Sequence, residues 1–195
     1  MNRKASVSRK TKETQIEVDF DLDGSGTVDV STGIPFFDHM LTAFSVHGFF
    51  DLKISAVGDL DVDFHHTVED VGLVLGQALV KALENSKPIV RFGDSCVPMD
   101  EALSRVTIDL SNRPYLVYNF PDNLKAGGRF GIHLAKEFFQ AFSVKGALNL
   151  HINSDYGVNE HHVLESIFKA LGRSLHMASR ENRSLDGDLS SKGVL

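Results

Sequence analysis

FDHMLTAFSVHGFFDLKIS (37–55) can be written above AKEFFQAFSVKGALNLHIN (135–153), and both lines contain AFSV, at 43–46 and 141–144, an offset of 98. A second pair, HHTVEDVGLVLGQAL (65–79) and HHVLESIFKALGRSL (161–175), aligns at an offset of 96, so a two-residue deletion separates the blocks. In this register His39 falls on Glu137, His47 on Lys145, and Leu52-Lys53-Ile54 on Leu150-His151-Ile152. Two copies are too few for a solenoid. They point to one pseudo-symmetric domain over 1–195, with halves at about 7–86 and 104–181. Between the halves, 87–103 reads as a connector carrying Pro88, Gly93 and Pro98, and 184–195 reads as a polar C-terminal substrate loop.

Periodicity fills in each half. Residues 14–22 and 27–31 alternate apolar and polar, and Asp23-Gly24-Ser25-Gly26 reads as a hairpin turn between them. Val106, Ile108 and Leu110 alternate likewise, and Asn112-Arg113-Pro114 turns the chain into Leu116, Tyr118 and Phe120. Phe37, Met40, Leu41 and Phe44 sit at helical spacing, as do Ala135, Phe138, Phe139 and Phe142. Residues 52–56 and 148–152 read as strands, with a further short strand expected before each HH pair. Longer apolar stripes follow both pairs, Val68 to Ala82 and Leu164 to Leu175. The expected fold is α+β, built from two β-β-α-β-α halves whose helices are sandwiched between two mostly antiparallel sheets. The first twelve residues are expected to be loosely ordered.

Composition narrows the function. The chain has 195 residues with Lys+Arg 20 against Asp+Glu 26, a net charge of −6. That balance lacks the basic footprint of a nucleic-acid binder. Cys96 is the one cysteine, which excludes an intrachain disulfide and a thiolate zinc cluster. No apolar run reaches the ~18 residues of a membrane span, and MNRKASVSRKTKETQ has no apolar core, so neither a membrane anchor nor a secretory signal is expected. The expectation is a cytoplasmic protein.

Nine histidines include His65-His66 and His161-His162, where random placement predicts roughly 0.4 such pairs. Each pair opens an H-H-x-x-E element, so His65 with Glu69 and His161 with Glu165 share a helical face one turn apart. A lone pair of this kind is usually a solvated ion pair worth ~0.2–0.5 kcal/mol. Two copies in one repeat register point instead to divalent metal. The second imidazole of each doublet projects about 100° away, which suggests two ions. Nitrogen and oxygen donors without thiolate suit Mn, Fe, Co, Ni or Zn. The repeat adds His39 and Glu137, giving a pool of His39, His65, His66, Glu69, Glu137, His161, His162 and Glu165.

FFDHML (36–41), DFHHTVEDVGLVLGQAL (63–79), RFG (91–93), PMDEALSRVTIDLSNRPYL (98–116), NEHHVLESIFKALGRSL (159–175) and SSKGVL (190–195) resemble imidazoleglycerol-phosphate dehydratase over nearly the whole chain. The resemblance implies a carbon–oxygen hydro-lyase of histidine biosynthesis that turns imidazole glycerol phosphate into imidazole acetol phosphate. It implies two manganese ions per active site, at interfaces of a homo-oligomer of twenty-four identical subunits. One ion would take His39, His66, His161 and Glu165. The other would take His65, Glu69, His162 and Glu137, where many relatives carry histidine. A carboxylate at 137 makes that site harder and tilts it toward Mn²⁺.

The same resemblance nominates Glu13 and His47 as the acid/base pair and Arg91, Arg113, Lys169, Ser191 and Lys192 as phosphate ligands, with Ser191-Lys192-Gly193 as a tail closing over the substrate. It places Asp70 at a substrate hydroxyl or behind a ligand, and sets His39, His65 and His161 beside the substrate as well as the metal. Two rivals are a dinuclear metallohydrolase, which would release phosphate from generic esters, and a metal-assembled protein without catalysis. The residues outside the ligand pool discriminate, because a scaffold has no need of them.

Overall fold

The computed structural model describes residues 3–84, 86, 88–122, 124–125, 128–182 and 184. The order βββαβα runs twice. The first half holds β1 (Lys4–Lys10), β2 (Thr14–Asp21), β3 (Val28–Ser31), α1 (Pro35–Gly48), β4 (Asp51–Gly58) and α2 (His65–Leu83). The second holds β5 (Phe92–Met99), β6 (Ala102–Asp109), β7 (Tyr115–Asn119), α3 (Ile132–Lys145), β8 (Asn149–Tyr156) and α4 (Glu160–Ser179). The sheets run β1-β2-β4-β3 and β5-β6-β8-β7. They are antiparallel except at β3/β4 and β7/β8, which are parallel.

Alternation builds each sheet with one dry face. Ile16, Val18 and Phe20 of β2 are buried while Gln15, Glu17 and Asp19 face out. Helix α2 packs on β1 and β2, and α4 on β5 and β6. Across the middle α1 meets α4 and α2 meets α3, so the helices lie between the sheets as expected. Phe37, Phe44, Phe138, Phe139, Phe142 and Phe168 are fully buried there, each stabilising by roughly 1.5–3 kcal/mol. Among the described residues no helix is long and apolar enough to cross a membrane.

Glycines set how closely the halves approach. A Cβ at Gly172 would lie 2.2 Å from the Phe44 carbonyl oxygen and 3.0 Å from the Gly48 nitrogen. The repeat equivalents behave alike: a Cβ at Gly76 would lie 2.9 Å from the Phe142 carbonyl oxygen and 2.7 Å from the Gly146 nitrogen. Backbone therefore touches backbone at both crossings. Helix α1 starts on Pro35, suited to a first helical turn, while Asp38 Oδ1 accepts the Thr32 N–H (2.9 Å) and hydroxyl (2.6 Å). It stops at Phe49, φ 58°, whose N–H reaches Val46 O.

Several expectations need correction. Residues 4–10, expected loose, form edge strand β1 against β2. Residues 92–99 of the expected connector form the equivalent edge strand β5 against β6. Each half thus carries an edge strand ahead of the three read from periodicity. Residues 23–26 do not close a hairpin: β4 lies between β2 and β3, and β3 pairs parallel to β4 through the α1 crossover. Asp51 of β4 pins that loop by accepting the Ser25 and Thr27 N–H groups at 2.8 and 2.9 Å. The same holds for β6 and β7, which are separated by β8. No strand precedes either HH pair; 59–64 turns, and Asn159 makes only an isolated bridge to Lys125.

Gly172→Ala and Gly76→Ala should each destabilise the fold by roughly 1–3 kcal/mol through overpacking. Chemical denaturation of each variant beside the exposed-site control Lys136→Ala checks this.

Candidate metal centre and active site

Helices α1 and α4 bring three expected ligands to one point. Glu165 Oε2 lies 3.2 Å from His39 Nε2 and 3.1 Å from His161 Nε2. One donor atom from each of the three falls within 4.8 Å of the others. Glu165 is buried, His161 half-buried and His39 exposed, so the cluster opens outward. Two imidazole nitrogens and a carboxylate oxygen fit a borderline divalent ion. Phe36 meets the His161 ring edge-to-face, with centroids 5.0 Å apart.

Lys169 Nζ sits 2.7 Å from Glu165 Oε1, one turn along α4. Burial pushes the Glu165 carboxyl up, but hydrogen bonds from Lys169, His39 and His161 and the Lys169 charge outweigh it and hold the pKa at about 2. The site therefore keeps its anionic donor.

The doublets diverge as the helical geometry requires. The ring planes of His65 and His66 cross at 83°, and those of His161 and His162 at 76°. His66 Nδ1 turns to Asp59 Oδ2 (2.9 Å), and His162 Nδ1 to Glu101 Oε2 (2.6 Å). Both pKa values rise, led by those hydrogen bonds. Glu101 in turn is held at about 2, first by His162 and then by the Asn159 N–H. His66 is thus not with His39, His161 and Glu165, and His162 is not with His65. On the α2/α3 side, His65 Nε2 and Glu69 Oε2 are 4.0 Å apart. Glu137 is half-buried on α3, the helix packed against α2, and makes no ion pair among the described residues.

Glu13 lies exposed in the β1–β2 turn, its N–H donating to Thr11 Oγ1 at 3.1 Å, and near enough to His66 to raise that imidazole's pKa. Asp70 is buried and accepts from the Arg9 guanidinium and the Thr14 hydroxyl. It ties α2 to the hairpin that carries Glu13. His47 is half-buried in the last turn of α1; burial, then the Lys169 and Arg173 charges, lower its pKa.

Arg91 and Arg113 converge on Asp109. Arg91 reaches it at 2.7 and 3.2 Å and Arg113 at 3.6 Å. Arg91 holds φ 74° while its N–H bonds Ala178 O at 2.8 Å. Lys169 stands apart from this pair, at Glu165. Ser191, Lys192 and Gly193, and the expected substrate loop beyond Ser184, lie outside the described residues.

Sequence reasoning missed Asp59, Glu101, Asp109 and Phe36 as partners. All but Phe36 sit in loops or at strand ends, outside the helical spacing used to read the ligands; Glu101 is 61 residues from His162, whereas Asp59 is only 7 from His66. The Glu165–Lys169 spacing of four was a readable signal.

Replacing Lys169 by Met should raise the Glu165 midpoint, since burial then meets less opposition. A carboxylate whose folded pKa is depressed adds stability above its ordinary value near 4.5 and loses it as pH falls toward about 2. In Lys169→Met the loss should still begin near 4.5 but end at higher pH and be smaller in total. A ¹³C carboxyl titration of labelled Glu165 checks it; an unmoved midpoint contradicts it.

A family model described as imidazoleglycerol-phosphate dehydratase matches residues 32–175. The imidazoleglycerol-phosphate dehydratase of Desulfosudis oleivorans is 57% identical over 195 residues, covering 100% of both chains. That of Syntrophobacter fumaroxidans is 55% identical over 193 residues, covering 99% of this chain and 98% of the relative. Among solved structures, the Staphylococcus aureus enzyme aligns with a TM-score of 0.82 at 37% identity, over 92% of this chain and 99% of that one. The Pyrococcus furiosus enzyme aligns at 0.84 and 37%, over 97% and 100%. With the family model, the relatives and the fold in agreement, the chain belongs to the imidazoleglycerol-phosphate dehydratase family of hydro-lyases in histidine biosynthesis.

Proposed function

We propose that this dehydratase removes water from imidazole glycerol phosphate to give imidazole acetol phosphate, and that it depends on two manganese ions per active site. The observation that carries the reading is the convergence of His39, His161 and Glu165, with Glu165 kept anionic by Lys169. Bound divalent ions would supply Lewis acidity, lowering the pKa of the substrate imidazole and stabilising charge that develops on it.

One ligand set would be His39, His66, His161 and Glu165; the other, His65, Glu69, His162 and Glu137. His66 lies with Asp59 and away from its three partners, which supports completion of each set by a second copy of the chain, in a homo-oligomer of twenty-four. The reading keeps the cytoplasmic location expected for amino-acid synthesis.

The remaining residues orient substrate and move protons. His47, with its pKa depressed, is neutral at pH 7 and can accept the proton on carbon. Glu13, in the turn anchored by Asp70, can serve the leaving hydroxyl as its partner. Arg91 and Arg113, gathered by Asp109, offer forked donors to the phosphate. Lys169 would add to them, with Ser191, Lys192 and Gly193 closing over the substrate.

Purified enzyme should turn over imidazole glycerol phosphate with Mn²⁺ and lose activity in EDTA. His161→Ala should lose both manganese and activity. Glu13→Gln and His47→Asn should lower kcat by about 10²-fold or more at unchanged manganese content. Phosphate release from generic esters would instead mark a metallohydrolase. Identical metal selectivity in Glu137→His would remove the special role of Glu137.

A further inference from the structure

Arg173 follows Glu165 by eight residues, about 12 Å along α4. Beyond it, the ends of α1 and α4 enclose a cavity of about 140 Å³ lined by His47, Phe49, Arg173, His176, Met177 and Arg180. Arg173 and Arg180 are exposed and make no ion pair among the described residues. Two acids near the hollow are engaged elsewhere: Asp23 is paired with Arg3, and Glu165 with Lys169. The result is a positive hollow in a chain of net charge −6.

Both imidazoles register that field. Burial and then the Arg180 charge lower the His176 pKa, as burial, Lys169 and Arg173 lower that of His47. The His176 wall is also rigid. Its ring is hydrogen-bonded to the Gly48 backbone and meets Phe49 edge-to-face at 5.4 Å. Phe49 itself is held at φ 58° and leaves half of its surface open beside the arginines.

We propose that this hollow is a binding site for a phosphate-class oxyanion, gripped by Arg173 and Arg180, and separate from the residues assigned above to the substrate phosphate. Guanidinium forks match phosphate oxygens in a bidentate way, and an anion between them relieves the repulsion of two unpaired cations. His47 is the wall shared with the active site. The cavity admits inorganic phosphate or the phosphate of a monoester, and the exposed Phe49 ring offers a flat surface to an organic ester. The alternative is that these cations only complement the C-terminal dipoles of α1 and α4. That role needs no anion.

Equilibrium dialysis of the manganese-loaded enzyme against inorganic phosphate, and separately against glycerol 3-phosphate, decides between them. The wild type should take up phosphate at a site that the Arg173→Gln/Arg180→Gln double variant weakens at least tenfold and that Arg113→Gln leaves intact. Equal uptake of the two probes identifies bare phosphate as the occupant; tighter uptake of the ester identifies an organic phosphate. Crystals soaked in tungstate should show an anomalous peak inside the cavity, a test that needs no variant to fold. No peak, unchanged uptake in the double variant, or a double variant that loses only thermal stability would each overturn the proposal.

Discussion

The contact of backbone on backbone where α1 crosses α4, at Gly48 and Gly172, is the constraint on which the site depends. Helices separated by ordinary side chains sit 8–10 Å apart. Here the Phe44 carbonyl lies where a Cβ of residue 172 would be. That closeness lets His39 on one half reach Glu165 on the other. A larger residue at 172 would therefore disturb the ligand cluster as well as the core, because close-packed interiors transmit strain.

Charge then determines what each half-buried group can do. Glu165 would tend toward protonation in its buried position, yet Lys169 and two imidazoles keep it ionised. The outer histidines of the doublets meet carboxylates from loops, Asp59 and Glu101, and lean toward the charged form. The inner ones meet the carboxylate one turn along their own helix. A doublet at a helix start thus serves two directions.

Duplication explains why the site has two unequal faces. Gly48, Phe44 and Gly172 are matched by Gly146, Phe142 and Gly76, so the frame is symmetric. The chemistry placed on it is not. His39 is matched by Glu137, and His47 by Lys145. The α1/α4 face has its carboxylate buried with a lysine beside it, whereas Glu69 on the α2/α3 face is more exposed and farther from His65.

The repeat, the helical stripes and the HHxxE spacing were legible because each is local: periodicity and offset survive in a linear string. They gave the sandwich, the helical placement of the HHxxE residues and the divergence of each doublet. Edge strands β1 and β5 escaped because an edge buries little. Val7 is the one buried side chain of β1, and β5 carries a glycine and a proline. The β2–β4–β3 order escaped because a parallel pair is specified by the α1 crossover and by Asp51 gripping a loop 24–26 residues away, and no local pattern records that. Composition and spacing named the donors. Which of them meet across the molecule was decided by packing, because His39 reaches Glu165 over 126 residues of chain and Glu101 reaches His162 over 61, and no local spacing records such distances in space.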